Sequence, residues 1–455
     1  MEMDFQDAAA ASGIEEIFSA LSLNTSFIES PQLRASINRV FSGVASEEQL
    51  GVTSIRKILS IEANPPIQEV INTGIAPILI KMSYARPIEF TFEVCWILCN
   101  IGSGNSQHAK YLVELGSLDF FSNIFESYPY SNELRDQIVW AVGNISGDCP
   151  ELRDLVNSSK IFQQILNYSY EILTKNQIKI IANCMWALSN SVRGKPAPNK
   201  LVVQVVNKCF LEALLIVSDT NTLVDIGWGL SYTTGSLDEL SCFKNTHLTK
   251  LLEHVNSPKI NLLVPVIRTI GNFISNASLS WGILKPLGVL ETFLRLLNHP
   301  KVSVRKEIYW ALSNLISESN EVVCYLLNLG AYKIIIQLID KEDLGVIGEI
   351  IWSVANSFES ADEERVKRIF EIGWCHKLLE IYKIISHAKQ KIVIIKGIDN
   401  IRRKCPELLD GVLKLEILKM RNYADENDLI IKNVEKLIEA LNCGPLNDLE
   451  QMEVV

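Results

Sequence analysis

The sequence predicts an all-α chain folded as a solenoid, and two observations carry that prediction. The first is a recurring pentad. WILCN at 96–100, WAVGN at 140–144, WALSN at 186–190, WALSN at 310–314 and WSVAN at 352–356 each place Asn four residues after Trp. WGLSY at 228–232 and RTIGN at 268–272 are variants with one member changed. The pentads start at 96, 140, 186, 228, 268, 310 and 352, so successive gaps are 44, 46, 42, 40, 42 and 42 residues. The second observation is that apolar residues recur with helical spacing from about residue 50 to about 440, while no useful length alternates with the period of two that marks a strand.

A period near 42 built from helices falls in the armadillo and HEAT range. The expected architecture is a right-handed superhelical solenoid of about ten armadillo repeats. At 455 residues a single globular core would have stopped growing, but repeats pack only on their neighbours and extend the core as a strip. Residues 1–47 are expected to be a non-basic segment, partly helical or disordered, 48–440 the solenoid, and 441–455 a C-terminal tail. Taken in order, SGIEEIFSALSL at 12–23 has the pattern of an amphipathic helix that could cap the array. INTGIAPILIKMS at 71–83, YLVELGSLDFFSNIF at 111–125 and VVCYLLNLGAYKIIIQLI at 322–339 are helix pairs. Gly74, Gly116 and Gly330 each close one helix before the next begins, as a left-handed helix end requires. The pentads lie inside a longer third helix, as in SNELRDQIVWAVGNIS at 131–146.

Composition excludes several function classes. No apolar run approaches the roughly 20 residues that cross a bilayer, and the first thirty residues lack a basic start followed by a hydrophobic stretch. A soluble, intracellular protein with no membrane partner is expected. The ten cysteines are scattered without a C-x-x-C pair, and Cys95 and Cys99 flank the first repeated Trp, so they read as small buried hydrophobes and no metal site is expected. A net charge of −10 argues against nucleic acid, which needs a basic face, and favours a basic partner. His108, His247, His254, His299, His376 and His387 form no H-E-x-x-H motif, and no phosphate-binding glycine loop or nucleophile elbow occurs. Neither catalysis nor a cofactor is expected.

The pairing of Trp with Asn points to a binding surface. Residues at i and i+4 share one helical face, so the array should carry a ladder of indoles beside a ladder of amides. Asn has poor helix propensity, and its return in repeat after repeat suggests a use outside the core. Two indoles from adjacent repeats form a slot for a Lys or Arg stem, with about 0.5–2 kcal/mol from the ring quadrupole. An amide offers both donor and acceptor and can hold the backbone of an extended peptide whatever its side chains. Asp148 follows Asn144 by four residues, while Asp225 and Glu349 precede Trp228 and Trp352 by three, placing carboxylates beside the ladder. Three consecutive repeats would reach about −8 kcal/mol, or micromolar affinity. Two linked basic segments could gain avidity from the two clusters of intact pairs.

IRKILSIEANPPI at 55–67, FEVCWILCNIGSGNSQ at 92–107, WAVGNISGD at 140–148, WALSNSVRGKPAP at 186–198, WGLSY, RTIGNFIS at 268–275, KEIYWALSNLIS at 306–317 and EIIWSVANS at 349–357 together resemble importin-α, the adaptor for proteins bearing basic nuclear localisation signals. The resemblance covers roughly residues 50–440. It implies a major signal site of Trp96, Asn100, Gly104, Trp140, Asn144, Asp148, Trp186, Asn190, Asp225 and Trp228. It implies a minor site of Arg268, Asn272, Trp310, Asn314, Glu349, Trp352 and Asn356. Arg268 and Tyr232 depart from the pentad in the manner of that family, Arg268 marking the break between the sites. It also implies residence in both cytoplasm and nucleus and an export receptor at the last repeat; direct binding of nuclear pore proteins is a further route to the pore for a chain whose start is not basic.

Three positions differ from the pattern at the edges of the major site: Ile61 in place of a basic residue, Ala109 in place of Thr, and TTGS after Tyr232 in place of a more acidic stretch. The family's basic importin-β-binding segment has no counterpart in residues 1–47, whose only bases are Arg34 and Arg39. An importin-β-type carrier would therefore be engaged through a non-standard surface. The competing reading is an armadillo scaffold of the catenin kind with no transport role. Scaffolds of that kind present a basic groove to acidic partners, and the carboxylates beside this ladder point the other way.

Overall fold

Every regular element among the described residues is a helix. The computed structural model describes residues 30–236, 242–276, 280–424 and 427–441. The amphipathic segment at 12–23 and nearly all of the tail lie outside them. The chain divides into two units, Met1–Ser236 and Leu237–Val455. The first carries the long helices α1 (Ala45–Leu59), α2 (Ile88–Gly102), α3 (Asn132–Asp148), α4 (Ala182–Ser191) and α5 (Thr220–Thr234). The second carries α6 (Ile260–Asn276), α7 (Val302–Ile316), α8 (Leu344–Ser360), α9 (Ala388–Lys404) and α10 (Asp428–Ala440). Within each unit every long helix packs on the next in sequence. Ten such helices among the described residues agree with the repeat number read from the sequence.

Two shorter helices precede the long one in several repeats, as Ser106–Glu114 and Ser117–Ser127 precede α3, and Asn320–Asn328 and Ala331–Leu338 precede α8, whereas α4 and α5 follow the helices Lys160–Thr174 and Lys200–Ile216, which are longer than they are. The sharp turn between the short pair is made by a glycine in the left-handed region, Gly116 at φ 79° and Gly330 at φ 72°, where a Cβ would be strained. Helices α3, α5 and α8 begin at side-chain caps: Ser131, Asp219 and Asp343 accept from the backbone N–H of Leu134, Thr222 and Val346. At the other end of α8, Lys404 Nζ donates to the carbonyls of Phe358, Glu359 and Ala361 at 3.0, 2.5 and 2.6 Å, satisfying groups that the helix leaves open.

Packed helices start earlier than residue 48. Pro31–Val40 lies against α1 with Leu33, Ile37 and Val40 fully buried. Ion pairs also tie successive repeats together. Arg86 forks onto Glu48 at 2.6 and 3.1 Å, and Arg305 onto Glu342 at 2.7–3.0 Å.

Candidate functional site

Each pentad lies with its middle three residues inward and its ends turned toward the surface, Asn190 alone of the intact pairs being buried there. Ile97–Leu98–Cys99, Ala141–Val142–Gly143, Ala187–Leu188–Ser189, Ala311–Leu312–Ser313 and Ser353–Val354–Ala355 are all buried. Trp140 and Trp352 are 43% and 41% exposed, and Trp96, Trp186, Trp228 and Trp310 are half-buried. A helix of 3.6 residues per turn does this automatically, since i and i+4 flank one face while i+1 to i+3 turn under it. The residues expected for the major site all lie in the first unit and those expected for the minor site all lie in the second.

The fourth residue of a pentad is the platform for the pentad that follows. A Cβ built on Gly143 would stand 2.3 Å from the Trp186 ring, and one on Gly271 would stand 2.3 Å from the Trp310 ring. Where the platform is glycine, the next indole sinks against bare backbone. Cys99 and Ser313 leave the next indoles, Trp140 and Trp352, more exposed, while Ser189 is followed by the half-buried Trp228. The same platform residues receive the amides. Asn144 Nδ2 donates to Cys99 O at 3.2 Å, Asn190 Nδ2 to Gly143 O at 3.2 Å and Asn356 Nδ2 to Ser313 O at 3.0 Å. Asn100 Nδ2 reaches the Ser60 hydroxyl at 3.0 Å instead. The asparagines therefore bridge repeats with one N–H, each bridge contributing about 0.5–1.5 kcal/mol. The carbonyl oxygen is not used in that bridge, and Asn144 Nδ2 also reaches Cys99 Sγ at 3.4 Å. The recurrence of asparagine thus has a use within the fold. Asn190 is nearly buried in this role.

In the first unit a cleft of about 270 Å³ draws together Gly104, Asn144, Asp148, Trp186 and Asn190. Asp148 anchors it. Its Oδ1 accepts from Ser106 Oγ at 2.8 Å, and its Oδ2 is covered and has no partner. Ala109 is fully buried on the helix that Ser106 begins. Arg193 also lines the cleft and was not anticipated. Arg153, itself fully buried, positions it by donating from Nη1 to the Arg193 carbonyl at 2.8 Å. At the last rung of this unit the Trp228 and Tyr232 rings stack at 5.8 Å. Asp225, one turn before Trp228, is half-buried; that burial, reinforced by Asp219, pushes its carboxyl up to about 6.

In the second unit Arg268 forks onto Glu307 of the next repeat, with Nε at 3.1 Å, and Asn272 sits one turn further along the same helix. Asn314 Nδ2 is covered and unpartnered. Burial raises the Glu349 carboxyl, with Lys306 opposing the shift and Glu307 adding to it. Asp225 and Glu349 belong to a row three residues before each ladder tryptophan, with Glu93, Gln137, Asn183 and Glu307. The spacing i, i+3 puts this row on the ladder's face, and that rule applied to every pentad would have found all six from the sequence.

The family model for the Armadillo/beta-catenin-like repeat matches residues 287–317. The chain is 35% identical over 246 residues to importin subunit alpha-1b of Oryza sativa subsp. japonica, covering 53% of this chain and 45% of that protein. It is 32% identical over 276 residues to importin subunit alpha-3 of Arabidopsis thaliana, covering 58% and 50%. The chain thus spans about half the length of the relatives it matches. Among solved structures, the crystal structure of an engineered protein superposes with a TM-score of 0.78 over 91% of this chain and all of that one, at 17% identity, which speaks to the fold alone. Over the stretch that these alignments span, the chain is a divergent armadillo-repeat relative of importin subunit alpha.

Proposed function

We propose that this protein is a nuclear import adaptor that binds lysine- and arginine-rich localisation signals in extended form along the Trp/Asn face. The first unit provides the major site and the second the minor site. The observation that carries this reading is the conjunction of a row of partly exposed indoles with carboxylates that form no ion pair among the described residues. Asp225 and Glu349 are half-buried beside the row without an ion pair, and Asp148 keeps one covered oxygen unpartnered. A half-buried carboxylate is costly until a cation meets it, and a lysine or arginine held between indoles would supply that cation. The kinship with importin subunit alpha supports the same reading. An adaptor of this kind works in cytoplasm and nucleus and needs a carrier of the importin-β type, nuclear pore proteins and an export receptor.

The test is the affinity of a short lysine-rich localisation peptide for the full chain at near-physiological salt, with Trp140→Ala and Asn144→Ala alongside. Micromolar binding is expected, with affinity at the first unit's site weakened by about tenfold or more in both variants. Binding that ignores both substitutions, or a preference for acidic peptides, would instead favour a scaffold with other partners.

A further inference from the structure

Both ladders open on an arginine where later rungs have tryptophan. Arg56 stands forty residues before Trp96 and four before Ser60, the residue that receives the Asn100 amide, so Arg56 and Ser60 form the rung below the first Trp/Asn pair. The Arg56 guanidinium lies 4.4 Å from the centroid of the Trp96 ring. It also forks onto Glu93, with Nε at 2.7 Å and Nη2 at 3.4 Å, and Thr53 Oγ1 steadies the same carboxylate at 3.1 Å. Arg56 and Glu93 side chains are only 17% and 12% exposed. Glu93 precedes Trp96 by three residues, as Asp225 and Glu349 precede their own tryptophans. The second unit repeats the device, with Arg268 forked onto Glu307, three residues before Trp310. Among the described residues, the two carboxylates preceded by an arginine rung, Glu93 and Glu307, are ion-paired, and the two preceded by a tryptophan rung, Asp225 and Glu349, are not.

We infer that Arg56 is a tethered occupant of a cation slot made by Trp96 and Glu93, and that it sets the end of the site by denying that slot to a ligand. The inference rests on the reading of this face as a basic-peptide site. Arg56 makes with this slot the contacts expected of a ligand arginine, a guanidinium stacked on an indole and forked onto a carboxylate. Because the protein fills the slot itself, a basic peptide gains nothing by extending past Trp96. Arg56 is thus a specificity-determining residue that limits how many cationic side chains the first unit reads.

The test uses the full chain and three peptides, a lysine-rich core and the same core lengthened by one arginine at either end. Wild type should bind all three within about twofold. Arg56→Ala should bind one lengthened peptide about tenfold more tightly than the core, and adding Glu93→Gln should abolish that gain. Thermal melting checks that each variant is folded; if Arg56→Ala is not, Arg56→Gln, shorter and uncharged, carries the same comparison. Equal affinity of the folded variant for all three peptides, with core binding as in wild type, overturns the inference. A wild-type chain that ignores the core peptide overturns the underlying reading and the inference with it, a separate result.

Discussion

Single side chains in this protein do more than one job, and Asp225 shows how that becomes measurable. Its carboxyl is pushed up to about 6 by burial and by Asp219. Between its ordinary range and that value the folded chain holds more protons than the unfolded one, so Asp225's contribution to stability is lost as pH rises through the window. A bound cation favours the ionised form, so binding at that rung releases a proton and weakens as pH falls. In a chain carrying Trp352→Ala, so that the first unit dominates, affinity for a basic peptide should drop by up to about tenfold from pH 7 to pH 5. Asp225→Asn should flatten that profile. A titration series in two buffers of different ionisation enthalpy would check both the slope and the proton release.

At the scale of the helix, the platform residue decides how the ladder is built. Gly143 accepts the Asn190 amide on its carbonyl and the Trp186 ring on its bare α-carbon. Gly143→Ala would place a Cβ 2.3 Å from a ring carbon, so the indole or the whole of α4 must shift. Overpacking of this kind costs about 1–3 kcal/mol, and peptide affinity in the first unit should fall with it. Gly116→Ala is the control. It strains a left-handed turn by about 1–2 kcal/mol with no neighbour within 4 Å, so melting temperature should fall while peptide affinity holds. Calorimetric melts and peptide titrations on the same two variants separate the outcomes.

For the molecule as a whole, the two units carry separate sets of ladder residues, which predicts independence. A short single-cluster peptide should bind wild type at two sites per chain. Trp140→Ala should remove one and Trp352→Ala the other, with effects that add as substitutions at independent sites do. Isothermal titration reads the stoichiometry directly. A ratio unchanged by either substitution would deny one unit its site.

Fold class, repeat length and the positions of the Trp/Asn pairs were legible in the chain, because a helical repeat writes its period into the spacing of its buried residues and a left-handed turn writes itself as glycine. The row three residues before the tryptophans was legible too, once the geometry of one turn was applied to every pentad. Other facts depended on contacts between residues about forty apart in sequence, which no local pattern encodes. Asn144 donates to the Cys99 carbonyl, Trp186 rests on Gly143, Arg193 enters the cleft of Asp148, and Arg56 fills the slot at Trp96. The sequence by itself determined which residues face outward, since that follows from 3.6 residues per turn. Only the tertiary structure decided which of those groups are already partnered and which still await a ligand, because that depends on what the neighbouring repeat brings within reach.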